Sequence, residues 1–549
     1  MPPIKENIEL TEIEQGLFND LIATMTEAKL ATTMRCAGGW VRDKLMGRES
    51  LDIDIALDDM LGKQFADHVN AYLKAHGQET HHVAVIMSNP EQSKHLETAR
   101  MRVRGLWIDL VNLRSEEYAH HSRIPTMEFG TPEQDAFRRD FTINAMFYNI
   151  NHGTIEDFTG RGLEDLRSGI IRTPLPAKET FMDDPLRVLR AVRFSSRFGF
   201  ELEESLLAAA GDAHVREMLG HKVSRERIGT ELDGMLNGPD PVAAVDVLRQ
   251  LRLFEAVFEV HPSATADVTD EFAAAGTALL TAAYDILAAW KDKDVAEAEV
   301  LSLEDRRLLL LAALLLPLRR CTVLGPKGRT QSMAAHVIRD SLKWKAKDVE
   351  LIDTLHTVAP RLLGVHRQLG NNSSSSNDYV DVRVALGRCI RDLKNLWRLG
   401  TILSALLPAP EARPLGVDPA EAAAGVAEAA VTEAELGSAL KITNSSADGV
   451  DGGGGGSFTM TSSHAVSARL EVCKELVAAA EAFGIADCWQ WKPLMDGKQV
   501  MTAVGMKQGG PALGKLMDKI VDWQLGNPKG SKDECEAWLK ANWEEFIAS

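Results

Sequence analysis

Two aspartates separated by one apolar residue, Asp52 and Asp54 in Leu51-Asp52-Ile53-Asp54-Ile55-Ala56-Leu57, are the residues of this chain best suited to chemistry. Apolar residues alternate with them, the pattern of a half-buried strand. In a strand, residues i and i+2 project to one face, so both carboxylates point the same way. Two hard oxygen ligands side by side suit Mg²⁺, which takes one or two carboxylates and leaves other positions to substrate phosphates. Upstream lies Gly38-Gly39-Trp40-Val41-Arg42-Asp43, where paired glycines let backbone N–H groups approach a phosphate and Arg42 adds a cation. Acids, glycines and arginine in this arrangement point to nucleotidyl transfer.

Three further clusters could join that chemistry. Asp109 alternates with apolar residues in Trp107-Ile108-Asp109-Leu110-Val111 and offers a third acid of the kind two-metal phosphoryl transfer uses. In Arg138-Arg139-Asp140, guanidinium groups suit a phosphate or base and the carboxylate suits ribose hydroxyls, although such a triplet also reads as a surface ion-pair cluster. In Asp183-Asp184-Pro185, Asp184 is placed as an N-cap and Pro185 as the first helical residue. Arg187, Arg190 and Arg193 follow at steps of three, each rotated about 60° from the last, so they span an arc of about 120°. Leu189, Val192 and Phe194 take other directions and can bury, so a capped helix with a solvated basic stripe also accounts for the pattern.

A sheet must bring these residues together. The pattern predicts an amphipathic helix near residues 8–30, then strand, turn, short helix and strand over 31–58. Further strands are predicted at Val83–Ile86, Arg100–Val103 and Leu106–Val111, and this mixed stretch, ending near residue 150, is the only clear sheet. Between Ser115 and Phe137 the chain is polar without periodicity. Gly160 and Gly162 flanking Arg161 mark a tight, mostly structural turn, and Ser224–Glu231 reads as ion pairs bracing a helix end. From about residue 175 the patterns are helical. Gly/Ser tracts near 370–378 and 445–463 predict flexible loops or linkers, and the acidic, Ala-rich stretch 417–436 predicts a solvated helix.

At 549 residues several domains are expected, and 45% hydrophobic with 26% charged residues is a globular composition. A formal net charge of −18 argues against binding nucleic acid by bulk attraction, leaving a local basic surface as the route. Six cysteines without a Cys-x-x-Cys pair predict free buried thiols in a reducing compartment. No signal peptide or spanning segment is evident; the start lacks the acid-poor, Arg-rich character of a transit peptide, and Leu308–Leu316 is too short to cross a bilayer and reads as a buried helix.

In chain order, the runs Gly38–Asp54, Arg138–Met146, Asp157–Leu166, Asp183–Phe194 and Ser224–Glu231 resemble the motifs of the tRNA nucleotidyltransferases (CCA-adding enzymes), class II of the DNA polymerase β-like superfamily. The resemblance covers nearly the whole chain and is most specific over residues 38–231. It implies an α+β fold: a mixed α/β nucleotidyltransferase head with a small sheet (1–173), then an all-helical neck (174–240), body (241–365) and tail (366–549). The implied activity is template-independent addition of CCA to the 3′ end of tRNA from CTP and ATP, with release of pyrophosphate. Asp52 and Asp54 would hold Mg²⁺, and Asp109 would assist the metal or the 3′-hydroxyl. Gly38, Gly39, Arg42 and Asp43 would serve the triphosphate; Arg139 and Asp140 would bind the incoming nucleotide, Asp140 at the ribose 2′-OH. Asp184 and Arg187 would act as an amino-acid template for the base, with Arg190 and Arg193 nearer the triphosphate.

Cytosine and adenine each offer an exocyclic amino group beside a ring-nitrogen acceptor. A carboxylate and a guanidinium match that edge, whereas uracil and guanine would leave buried polar groups unmatched at about 1–3 kcal/mol each. In the family the place of residues 115–137 holds a flexible loop that switches the site from C to A, and its length here suits complete CCA addition. Pro493–Lys498 and Gly509–Leu516 look like the family's tail, where Lys498, Lys507 and Lys515 could contact tRNA phosphates. The expected partners are tRNA, CTP and ATP, with no membrane and no stable protein partner; the expected compartment is cytoplasm or nucleus, with the mitochondrion as a further option. A poly(A) polymerase of the same superfamily and a non-catalytic tRNA-binding protein are the alternatives.

Overall fold

The computed structural model describes residues 4–86, 98–117, 126–261, 266–291, 302–325, 328, 330–371, 376–407 and 463–548. They form two compact units, Met1–Val257 and Phe258–Ser549.

The first unit is built on strands β1 (Met34–Ala37), β2 (Ile53–Leu57), β3 (Ala84–Ile86), β4 (Thr98–Val103), β5 (Leu106–Asn112), β8 (Phe147–Asn149) and β9 (Thr154–Glu156), while β6 (Arg114–Glu117) and β7 (Thr126–Phe129) make a separate antiparallel ribbon. The seven strands lie in the order β3-β4-β5-β2-β1-β8-β9. Every neighbouring pair is antiparallel except β2 and β5, which run parallel. Their alternation places Ile53, Ile55, Ile108 and Leu110 in the core. Parallel pairing requires a crossover, and helix α3 (Gly62–Ala75) lies within it and packs on β4 and β5. Helix α1 (Glu12–Ala28) opens with a capping box between Thr11 and Glu14 and covers α3. Strands β8 and β9 were not anticipated; three residues are too few to show a period of two.

Short helices α2 (Gly39–Leu45), α4 (Pro132–Phe137), α5 (Gly162–Ser168) and α6 (Ala177–Asp183) connect the sheet to α7 (Leu186–Phe198). Then follow α8 (Glu204–Ala210), α9 (Ala213–Lys222), α10 (Arg225–Leu236) and α11 (Pro241–Gln250). Both α10 and α11 pack on α7, so the stretch after residue 240 that the sequence assigns to a helical body begins inside the first unit. A two-residue parallel ribbon, Ile170–Ile171 with Glu201–Leu202, interrupts the predicted all-helical region.

The described residues of the second unit are helical apart from one hairpin, Thr322–Leu324 with Thr330–Ser332. Residues Leu308 to Leu316 are buried throughout, as expected. One described helix contains a window, Phe272–Trp290, long and apolar enough to span a membrane by length and composition. Its Phe272, Leu280, Ala283 and Ile286 are buried, and the helix packs on Leu303–Leu315 and Ser463–Ala482, the surroundings of a core helix. At the C-terminal end, helices Gly497–Val504, Pro511–Gly526 and Lys532–Ala548 enclose Val500, Leu516, Ile520, Cys535 and Leu539. Pro511 opens its helix at the first position, as expected. All six cysteines are free and five are buried. The serine-rich tract lies between Asn371 and Ser376 and is only partly described; the predicted acidic helix 417–436 and nearly all of the glycine-rich tract fall outside the described residues.

Candidate active site

Parallel pairing of β2 and β5 sets Asp54 directly opposite Asp109. Asp52 stands just before β2 begins, yet oxygens of Asp52, Asp54 and Asp109 all approach within 4.8 Å of one another. Burial, and then the charge of Asp52, raises the Asp54 carboxyl to about 6, with Asp109 adding to the shift and Arg139 opposing it. Burial raises Asp109 as well, against the nearby Arg100. The Asp109 Oδ1 atom is buried without a hydrogen-bond donor, and Arg100 Nε stands 3.5 Å away. Three converging carboxylates, one with an orphaned buried oxygen, are a hard-oxygen donor set that a divalent cation fits.

Gly38 follows β1 with φ +66, and a Cβ there would sit 2.8 Å from Arg139 Nη1, so glycine is required on two counts. Its N–H donates to the Met146 carbonyl at 3.1 Å, which commits one of the two backbone donors expected at a phosphate. Arg42 corrects the sequence reading more strongly. Its guanidinium is buried, donates to Asp43 Oδ1 at 2.9 Å and to Asn144 Oδ1, and lies 4.8 Å from the Phe198 ring centre. Burial lowers its pKa, opposed by Asp43. Arg42 and Asp43 therefore tie α2 to the 138–146 segment and to α7, and their charged groups face each other across the interior.

The segment after α4 is organised by Asp135, which the sequence reading missed. Its side chain is 1% exposed and accepts from Arg138 and Arg139 at 2.5 and 2.8 Å. Burial acts to raise its carboxyl, and the two arginines outweigh this and hold it low. Asp140 Oδ1 accepts from the Phe141 N–H and from Asn144 Nδ2, while Oδ2 accepts from Arg190 Nη2 at 2.6 Å. Burial again works upward, and the Arg190 charge with these hydrogen bonds brings Asp140 down to about 2.

Helix α7 docks on this segment. Leu189, Val192 and Phe194 are buried, as predicted. Pro185 has helical dihedrals and Asp184 Oδ1 accepts the Leu186 N–H at 3.2 Å, so Asp184 caps α7 while also ending α6. Arg187 Nη2 donates to the Arg138 carbonyl at 2.7 Å. Arg193, expected near a triphosphate, instead donates to Glu231 of α10 at 2.6 Å, and Arg190 Nη1 lies 3.8 Å from the same carboxylate. Asp184 Oδ2 accepts from Arg227 of α10 at 2.8 Å. Contacts thus run from Arg187 and Arg190 to residues 138–146 and from Met146 to Gly38, and the charge of Arg139 reaches Asp54 of the acid triad. A sequence signal existed for Asp135, which precedes Arg138 and Arg139 by three and four positions, the spacings of neighbours on one helical face; Arg227 and Glu231 lie in the Ser224–Glu231 run read from sequence as ion pairs bracing a helix end, and they pair with Asp184 and Arg193.

Asp157–Leu166 behaves as the structural turn expected, with Asp157 accepting from Thr159 and Leu163. The polar stretch after Ser115 is framed by the β6–β7 ribbon, with residues 118–125 outside the described part. In the second unit Lys498, Lys507 and Lys515 are exposed, on or beside the helices Gly497–Val504 and Pro511–Gly526.

Residues 34–172 match the family described as Poly A polymerase head domain, and residues 199–265 that described as probable RNA and SrmB-binding site of polymerase A. The chain is similar to the mitochondrial CCA tRNA nucleotidyltransferase of Saccharomyces cerevisiae, at 32% identity over 97% of this chain and 94% of that one. It is equally similar to the mitochondrial CCA tRNA nucleotidyltransferase of Candida glabrata, at 32% identity over 97% and 96%. Among solved structures it shares its fold with the CCA-adding enzyme of Bacillus stearothermophilus in complex with CTP, at 20% identity and a TM-score of 0.56 over 98% and 99% of the two chains.

Proposed function

The chain belongs to the family of CCA tRNA nucleotidyltransferases, and from that premise we propose that it adds C, C and A to the 3′ end of tRNA from CTP and ATP, releasing pyrophosphate at each step. The observation that carries this reading is the convergence of three carboxylates, with Arg139 near enough to act on Asp54, and the docking of Arg187 and Arg190 on the segment that carries Arg139 and Asp140.

Asp52, Asp54 and Asp109 would hold Mg²⁺, which when bound supplies the positive charge that phosphate and attacking oxygens need to meet. Arg139 lies close enough to lower the Asp54 pKa and so favours its ionised, ligating form. Asp140, kept ionised by Arg190, would accept from ribose hydroxyls. Asp184 would accept from the exocyclic amino group of cytosine or adenine, and Arg187, with one of its five N–H donors given to Arg138, would donate to the ring nitrogen. Arg42, Asp43 and Arg193 would act by bracing α2, α7 and α10 rather than by touching phosphate. Within this reading, residues 1–173 serve as head, 174–240 as neck, 241–365 as body and 366–549 as tail, with Lys498, Lys507 and Lys515 meeting tRNA phosphates. Both fungal relatives carry a mitochondrial designation, and we extend to this chain a mitochondrial pool beside the cytoplasmic and nuclear ones.

The head-domain match also favours a second reading, a poly(A) polymerase. Incubating the protein with tRNA lacking CCA, Mg²⁺ and CTP alone separates the two. Two added cytidines are expected, and none would sink the proposal. Asp52→Ala and Asp54→Ala should each abolish incorporation; unchanged incorporation would leave a tRNA-binding protein without this catalytic centre.

A further inference from the structure

The face of the sheet that carries the acids does not end at Asp109. Trp107 lies two residues earlier on β5 and so projects to the same face. It is 48% exposed, one of the few large hydrophobic side chains so open to solvent. Arg100, opposite Asp109 on β4, places its guanidinium 5.3 Å from the Trp107 ring centre and its Nε 3.5 Å from Asp109 Oδ1. Arg102, opposite Trp107, is also exposed. A half-exposed indole with an arginine over its ring is the composition of a stacking site for single-stranded nucleic acid.

Its position decides which nucleotide it would take. In the strand order β4-β5-β2-β1-β8, Gly38 and the Arg139–Asp140 segment lie on the β1 and β8 side of the acids. Arg100 lies on the opposite side, on β4, and Trp107 shares β5 with Asp109, the acid farthest from β1, two residues before it. An in-line displacement needs the attacking and leaving groups on opposite sides of the reacting phosphorus. With the incoming triphosphate on the first side, the second side is left for the strand that attacks.

We propose that Trp107, with Arg100 beside it, is a stacking platform for the 3′-terminal base of the tRNA acceptor strand. The platform rests on the catalytic reading above and adds the primer's own contact to it. Any base presents a π-face, so the same ring serves a discriminator base, then C74, then C75, without readout of sequence.

The test is steady-state CTP incorporation into tRNA lacking CCA. Trp107→Ala should raise the KM for tRNA about tenfold, the lower range for loss of one base–aromatic stack, and leave the KM for CTP unchanged. Trp107→Phe should recover most of the loss. A second primer whose last nucleotide is abasic should cost the wild-type protein as much as Trp107→Ala costs with intact tRNA, and the two changes combined should cost no more than either. Losses that multiply, or a Trp107→Ala variant with wild-type KM for tRNA, overturn the platform. Asp52→Ala, run alongside, separates the failures: if it still incorporates CTP the catalytic reading falls, and if it is inactive while Trp107→Ala is normal, only the platform falls.

Discussion

Asp184 is held from two directions: its own helix start supplies the Leu186 N–H to one oxygen, and Arg227 reaches across from α10 to the other. A carboxylate fixed in this way presents its remaining lone pairs at a defined angle, which a base reader requires. Arg227→Ala should therefore raise UTP and GTP incorporation relative to CTP by roughly tenfold, the loss expected for one hydrogen bond to a charged group. Affinity for tRNA should stay the same, and Arg227→Lys should restore part of the discrimination. Unaltered base choice in competition assays would assign Arg227 to bracing alone. The ion pairs of Arg193 with Glu231 and Arg190 with Asp140 follow the same principle, each arginine holding a carboxylate of a neighbouring element in place.

Among elements, the contact between α3 and β5 is the tightest test of the head. A Cβ at Gly62 would come within 2.5 Å of the Leu110 carbonyl oxygen, backbone that cannot rotate away. Gly62→Ala should cost about 1–3 kcal/mol, the usual range for overpacking, and move the strand that carries Asp109. A lower denaturation midpoint together with weaker nucleotide incorporation is expected; an unshifted midpoint would mean that α3 adapts freely. Most of this architecture was legible because it is periodic: β4 and β5 alternate cleanly, β2 alternates over its first three residues, and the buried face of α7 repeats at helical spacing. Strands β8 and β9 were not, since three residues carry no period. The acid triad was readable because Asp54 and Asp109 sit on those strands and Asp52 falls one residue before β2. The surroundings of Arg42 were not legible, because spacing shows that a cation is present, whereas only packing shows that Phe194, Phe198, Asp43 and Asn144 enclose it.

On the scale of the molecule, the second unit carries its own response to acid. His356 Nε2–H donates to the Ala312 carbonyl at 2.8 Å, and its Nδ1 is buried without a partner. Burial lowers its pKa to about 4. A histidine depressed in the folded state contributes its full stability above the unfolded value near 6.5 and loses it as pH falls toward 4, a total of about 3 kcal/mol. His336, also lowered by burial, acts in the same direction. Thermal scans of the full chain between pH 7 and 4 should show the melting temperature falling, with a shallower fall in His356→Gln; identical slopes would remove His356 from the account. The pairing of Asp54 with Asp109 has a different reach. A ribosome making this chain exposes the first of these acids long before the second, and their meeting waits for the crossover through α3 to close. Until then the three carboxylates cannot converge, so the full acid set arrives with a long-range strand pairing rather than with any local motif.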